Sequence, residues 1–142
     1  MIWIIFALVV IAVAFDLRRR EIPDWISIMI LAAGALATGL GWHDVRWLEF
    51  LGGLALGLVI AAPYFAFGGL GGGDVKLIAS LGAVLGPMAL MQSLFWIALA
   101  GGVLAVIAAI RKKRDFAYAP AIALGLLVHL LLTQGLIDAV AG

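Results

Sequence analysis

Long stretches without charge are the feature that most limits what this 142-residue chain can fold into. From Val75 to Ile110 only one charged side chain, Lys76, interrupts the apolar sequence. Hydrophobic residues make up 66% of the chain, and charged residues make up 12%. A soluble domain of this size has too little interior to bury so much apolar surface. We therefore predict an all-α, polytopic membrane helix bundle that forms a single domain over residues 1–142, with membrane lipid around it.

The charge balance and the absence of cysteine exclude several classes of function. The formal net charge is +1, so no basic patch points to nucleic acid as a partner. The chain has no cysteine, which excludes disulfides, thiolate catalysis and cysteine-based metal sites. Its two histidines, His43 and His129, are far apart in sequence, so no metal site and no cofactor are predicted. His129 lies within the last apolar segment, either as a neutral histidine inside the bundle or as a functional ionisable group.

Six apolar segments alternate with short polar stretches. Gly86-Pro87 divides the longest run, because one span needs only about 20 residues. Pro23 suits the first turn of the second helix. The fourth segment is short for a span, so a kinked extension past Pro87 and a re-entrant segment both stay open. The segments run over about Ile2–Phe15, Trp25–Leu40, Phe50–Phe67, Val75–Leu85, Met88–Ile110 and Phe116–Val140.

The basic residues predict how these segments are oriented. The first segment is interpreted as a retained helix, because its arginines follow the apolar run, whereas in a signal peptide the charge comes first. With six spans, only Arg46 among the lysines and arginines falls on the opposite side from the rest. The positive-inside rule makes the crowded side cytoplasmic and puts both termini outside. The crowded side carries Arg18, Arg19, Arg20, Lys76, Arg111, Lys112, Lys113 and Arg114.

Two aspartates stand at the cytoplasmic ends of different segments. Asp16 follows the first segment and Asp74 begins the fourth, so the topology puts both carboxylates at one membrane depth. Each has a simpler interpretation. Asp74 could cap its helix, and Asp16 could be a solvated helix end paired with a neighbouring arginine. If the two meet, one can hold a proton while the other activates water, which is metal-free chemistry for peptide hydrolysis.

The residues around Asp74 are of types that would allow a substrate peptide to bind next to it. The glycine run over residues 68–73, which ends in Gly71, Gly72 and Gly73, lets a substrate strand come close and lets the loop adopt positive φ. Lys76 could contact substrate or act on Asp74, or could simply extend towards the lipid headgroups. Glu21 and Asp24 are interpreted as solvated ends, with attraction of a basic substrate as the alternative.

Three tracts together resemble a known family. Gly71-Gly72-Gly73-Asp74 matches the GxGD signature of membrane aspartic proteases. With GGGDVKL, with DLRRREIPD over Asp16–Asp24, and with YAPAIALG over Tyr118–Gly125, the chain resembles the prepilin peptidases, or type IV leader peptidases. It is most similar to their small branch, which serves Flp-type pili.

The resemblance implies a specific reaction and site. Such enzymes remove the short basic leader of a prepilin or pseudopilin after a glycine, just before the substrate's hydrophobic helix, at the cytoplasmic face of the inner membrane. Asp16 and Asp74 match the catalytic pair. Asp24 stands where the family often has asparagine. The cysteine-bearing insert of larger members is absent, so N-methyltransferase activity is not expected.

A second function remains open on the residues alone. A small ion- or proton-coupled transporter could use the same carboxylates, and broken, glycine-rich helices also occur in transporters. An assembly factor without chemistry is a third alternative. Loss of peptide cleavage on Asp16→Asn or Asp74→Asn would separate a peptidase from both. The sequence leaves the pilin substrate and the oligomeric state open.

Overall fold

The computed structural model describes residues 2–19, 21–42, 44–111 and 119–141. Within these residues the secondary structure is entirely helical, which confirms the all-α prediction. Arg20, His43 and residues 112–118, with the expected start of the sixth segment at Phe116, lie outside the described residues, as does the side chain of Asp138. The helices are α1 (Ile2–Arg19), α2 (Asp24–Gly39), α3 (Trp47–Ala66), α4 (Gly72–Ile110) and α5 (Ala119–Ala141).

Two helix boundaries near Asp16 differ from the prediction. Helix α1 continues one turn past Phe15 to Arg19, because Arg18 and Arg19 occupy its last turn, where positive charge favours the helix dipole. Pro23 lies just before α2 instead of in its first turn. Its φ of −61° and ψ of 135° are extended, which is the conformation of a residue that precedes a helix.

Helix α4 folds back on itself at Gly86. The φ of 78° and ψ of 169° at Gly86 belong to a region that essentially only glycine adopts. A Cβ placed on Gly82 would lie 2.8 Å from Cδ2 of Leu90. In a straight helix these two residues would be about 12 Å apart along the axis. The predicted break at Gly86-Pro87 is therefore confirmed, and α4 is a hairpin of two helices, α4a (residues 72–85) and α4b (residues 87–110).

Helix α4a is the centre of the bundle. Every residue from Leu77 to Val84 is buried, as expected of a helix that is apolar on all sides. Helix α3 packs most extensively on α4, followed by α5 and then α2. Helix α4a begins at Gly72, earlier than the predicted Val75, and is about 21 Å long, compared with about 30 Å of bilayer hydrocarbon. Its neighbours in the bundle surround this short helix.

Three glycines bring α3 and α4a into backbone contact. A Cβ on Gly53 would overlap the carbonyl oxygen of Gly82, and one on Gly82 would overlap that of Gly53. A Cβ on Gly57 would lie 2.8 Å from the Cα of Ala79. We call Gly53, Gly57 and Gly82 the glycine seam. Small residues of this kind allow helices to approach closely in lipid.

The outer surface has membrane character. Helix α3 is long and apolar enough to cross a membrane, and so is the apolar sequence Gly72–Ile110 taken as a whole, whereas α2 and residues 120–133 form shorter apolar helices. Large apolar side chains point outward, among them Leu48, Phe67, Met88 and Ile110. An apolar exterior of this extent is characteristic of a surface that faces lipid or a partner.

Candidate active site

A cavity of ≈260 Å³ lies where the α1–α2 connection meets the start of α4. Five of the predicted site residues line it, whereas Lys76 and Pro23 do not. Acidic side chains and glycines make up almost all of its wall. The lining residues are Asp16, Glu21, Ile22, Asp24, Gly71, Gly72, Gly73 and Asp74.

Asp74 is the third residue of α4 and is buried, with 7% of its surface exposed. Its Oδ2 accepts a hydrogen bond of 3.3 Å from the backbone N–H of Gly71, so the capping role is real. Its other oxygen, Oδ1, is buried and has no hydrogen-bond donor among the residues that the structure describes. An oxygen in this situation costs free energy unless a donor reaches it. Oδ1 therefore has a hydrogen-bonding capacity that the described residues do not satisfy.

Asp16 reaches the same cavity from α1. It is buried, with 8% of its surface exposed, and it lies one turn before the end of its helix. Its carboxylate interacts electrostatically with that of Asp74. The structure thus brings together the two aspartates that the topology predicts at one depth, although they come from different helices.

The glycine run before Asp74 is more ordered than the sequence suggested. Gly71 has a φ of −73°, and Gly72 and Gly73 form the first turn of α4. The helix begins at Gly72 and imposes its own dihedral angles on Gly72 and Gly73, so the positive φ expected within the glycine run does not occur at these three glycines. Positive φ occurs earlier in the loop, at Gly68, with a φ of 73°.

Gly73 has a packing role next to the two acids. A Cβ at Gly73 would lie 2.8 Å from the Cβ of Ile22 and 3.1 Å from its carbonyl oxygen. The first turn of α4 therefore contacts the α1–α2 connection directly. A Cβ at Gly72 would fit without displacing its neighbours, because the nearest atom, Cε2 of Phe65, would lie at a van der Waals contact distance of 3.6 Å. Gly73, and not Gly72, is therefore the position where the absence of a side chain lets the first turn of α4 pack against the α1–α2 connection.

Lys76 pairs with Asp24. Its Nζ lies 2.7 Å from both carboxylate oxygens of Asp24, which ties the start of α2 to the start of α4. Asp24 is exposed, as the interpretation of a solvated end requires, and it also has an ion-pair partner that the sequence did not predict. Both side chains are more than half exposed, which limits the strength of the pair. No sequence spacing could have signalled a contact between residues so far apart in the chain.

The remaining candidates fall into two groups. Glu21 is exposed at the edge of the cavity, and Ile22 forms part of its wall. Sequence reasoning gave Glu21 only as an alternative contact for a basic substrate and missed Ile22, whose one signal was its position between Asp16 and Asp24. His129 is buried in α5 and does not line the cavity. Among the described residues, no group of three or more potential ligands could hold a metal ion.

The sequence profile of the type IV leader peptidase family matches residues 3–106, a segment that contains the whole lining of the cavity. The chain belongs to the type IV leader peptidase family. The match confirms the predicted resemblance to the family. It does not distinguish the Flp-type branch from the other branches.

Several curated members of the family align with most of the chain. The prepilin leader peptidase/N-methyltransferase of Bacillus subtilis (strain 168) is 34% identical over 141 residues, which cover 95% of this chain and 56% of that protein. The enzyme of the same name from Neisseria gonorrhoeae is 34% identical over 113 residues, covering 75% and 40%. That from Aeromonas salmonicida (strain A449) is 34% identical over 110 residues, covering 73% and 36%. The chain thus spans about half or less of the length of these relatives. No solved structure matches it significantly.

Proposed function

We propose that this chain is a membrane-embedded aspartic endopeptidase that removes the short basic leader of prepilins or pseudopilins after a glycine. The observation that carries the proposal is the cavity shared by Asp16 and Asp74, both buried, with one carboxylate oxygen of Asp74 lacking a donor among the described residues. Membership of the type IV leader peptidase family and the names of the curated relatives support it. Within the family, we propose that the chain belongs to the small branch that serves Flp-type pili.

In this proposal the two aspartates act as one unit. One carboxylate is ionised and takes a proton from water, whose oxygen then attacks the carbonyl carbon of the scissile peptide. The other aspartate, protonated, donates its proton to the carbonyl oxygen. The tetrahedral intermediate collapses, the C–N bond breaks, and the departing amine takes up a proton from the pair. The leader leaves with a new carboxyl terminus.

The cavity suggests where the water binds. Asp16 and Asp74 both line it, so in this proposal the attacking water lies in the cavity between the two carboxylates. A volume of ≈260 Å³ accommodates that water, which needs only about 30 Å³, together with an extended peptide segment. Glu21, at the cavity edge, adds negative charge where a basic leader would arrive.

We propose that the cavity opens to the cytoplasm and that both termini lie on the other side. Because α4 is a hairpin, the described helices form six segments, and with six spans nearly all the basic residues fall on the side of the cavity. A site at one end of the helices is also more consistent with a peptidase than with a transporter, whose coupling residues lie near the bilayer midplane.

The test is cleavage of a prepilin from the same organism in membranes that contain wild type, Asp16→Asn or Asp74→Asn. Asp44→Asn, an exposed aspartate between α2 and α3, is the matched control. We expect wild type and the control to cut after the glycine, and both dyad variants to fall by about 10³-fold or more while inserting normally. If either variant still cuts, the pair is misassigned. If wild type cuts no prepilin and ion flux depends on the acids, the chain is a transporter.

The mass of the processed pilin in the same assay tests the second activity in the relatives' names. We propose that the chain acts as a peptidase alone. The new pilin N-terminus should therefore carry no added methyl group when the methyl donor is present.

A further inference from the structure

A second cavity, of ≈160 Å³, is lined by Leu70, four residues before Asp74, and by residues of α3 and α4. Its floor contains buried apolar side chains from three helical segments, Ala61 of α3, Ile78 of α4a and Ile97 of α4b. Tyr64 and Ala98 are exposed at its rim. We call this cavity the apolar groove. It opens on the outer surface of the bundle.

The apolar groove and the acidic cavity are lined by neighbouring residues of the chain. Leu70 lines the groove, and the next residue, Gly71, lines the acidic cavity. Ile78 follows Asp74 by one turn of α4a, so both lie on one face of that helix. The groove is therefore about 6 Å deeper along α4a than the carboxylate.

The rim of the groove is bonded to the loop that leads to Asp74. The carbonyl oxygen of Tyr64 accepts hydrogen bonds from the N–H of Gly69, at 2.7 Å, and from the N–H of Leu70, at 3.2 Å. Tyr64 and the loop thus form one unit. An occupant of the groove that contacts Tyr64 and Leu70 would also fix the position of Gly71, which bonds to Asp74.

We propose that the apolar groove receives one large apolar side chain from the hydrophobic helix of the substrate, about one helical turn past the cleaved bond. This inference rests on the proposed function. The two cavities match the two parts of such a substrate, since the acidic cavity complements a basic leader and the apolar groove complements the helix that follows. Asp74 lines the acidic cavity, and Ile78 of the groove follows it by one turn of α4a.

The size of the groove determines how much of the substrate it holds. An apolar cavity of about 150 Å³ accommodates benzene, so ≈160 Å³ accepts one aromatic or branched side chain but not a helix. The substrate helix therefore lies against the rim with a single side chain inserted, as in other helix-in-groove complexes. A lipid chain would satisfy the same apolar surface, and the experiment distinguishes the two occupants.

Photo-crosslinking of the full chain in membranes tests the proposal. A photoreactive amino acid replaces Ala98 at the rim or, as control, Ala62, an exposed alanine of α3 next to Ala61 that does not line the groove. The Asp74→Asn background keeps the co-expressed prepilin uncut. We expect prepilin adducts at position 98, mapped to the first turns of its hydrophobic helix, and few at position 62. Lipid adducts alone at position 98, or equal prepilin adducts at both positions, would overturn the proposal.

Filling the groove gives a kinetic test in the otherwise wild-type enzyme. Ala98→Trp should raise the KM for prepilin about 10-fold with kcat nearly unchanged, because it removes one apolar contact that forms on binding. Ala62→Trp should change neither constant. An unchanged KM in Ala98→Trp refutes the groove while leaving the proposed function intact. Continued cleavage by Asp74→Asn refutes the dyad instead, and failure of wild type to cut refutes both.

Discussion

The glycine seam and the glycine run before Asp74 are similar in composition, but their surroundings differ. In the seam, a Cβ on Gly53 would meet the backbone of the neighbouring helix. In the run, a Cβ on Gly72 would make only an ordinary van der Waals contact, whereas one on Gly73 would collide with Ile22 in the connection between α1 and α2. Backbone that belongs to a packed helix cannot yield without separating two helices, whereas a loop can shift. We therefore expect glycines in the seam to hold the bundle together and Gly73 to align the candidate site.

The largest effect should come from the seam. We expect Gly53→Ala to lower the free energy of unfolding by about 3 kcal/mol, because the new methyl overlaps the Gly82 carbonyl. Thermal unfolding in detergent measures this as a lower Tm. Gly52→Ala is the matched control, since its Cβ would lie 3.5 Å from Pro87. Equal Tm values for the two variants would mean that the seam does not hold α3 against α4a.

The glycine run should respond in activity more than in stability. We expect Gly73→Ala to reduce prepilin cleavage by about 10- to 100-fold with little change in Tm, because it displaces Ile22 and so the Asp16 side of the cavity. Gly72→Ala should stay within about threefold of wild type, as its Cβ meets only an ordinary contact. If both variants cut equally well, Gly73 has no aligning role.

A third kind of glycine, defined by its backbone angles, extends the comparison. Gly86→Ala should cost about 1–3 kcal/mol of stability, because alanine adopts a φ of 78° with a ψ of 169° only under strain. Gly102, in α4b, has nothing within 4 Å of a Cβ, so Gly102→Ala should be neutral or raise stability by up to about 1 kcal/mol. Unfolding of both variants followed by circular dichroism checks this. A stable Gly86→Ala would argue against the hairpin.

The smallest effect should come from the exposed ion pair beside the run. Asp24→Asn or Lys76→Gln should lower stability by no more than about 1 kcal/mol and change cleavage by less than about fivefold. The exchanged pair, Asp24→Lys with Lys76→Asp, should restore most of the loss, and high salt should remove the difference. A loss of activity that the exchange does not restore would mean that one of the two residues contacts substrate.

The sequence predicted the features that depend on position along a helix, namely where along its helix a residue lies and where a helix breaks. Counting apolar segments puts Asp16 and Asp74 at one end of their helices, and Gly86-Pro87 marks a break that the backbone angles confirm. The apolar pattern was less accurate for helix ends. It marks where lipid contact stops, whereas backbone hydrogen bonding in α1 continues through Asp16 to Arg19.

Lateral neighbours could not be predicted, because depth does not determine which helices touch. The pairing of Lys76 with Asp24 and the contact of Gly73 with Ile22 depend on how α1, α2 and α4 are arranged around one another. The same holds for the apolar groove, whose floor combines α3 with both arms of the α4 hairpin. The dihedral angles of Gly71–Gly73 were unpredictable for a different reason, since glycine permits both the loop and the helix.

The central claim is that Asp16 and Asp74 work as one catalytic unit. The most direct test compares prepilin cleavage by purified Asp16→Asn, Asp74→Asn and the double variant. Residues that act as a unit are strongly non-additive. We expect each single variant to lose about the same activity and the double variant to be no slower than either. A double variant that falls by the product of the two single losses, or a single variant that keeps near wild-type activity, would contradict a shared role for the two carboxylates.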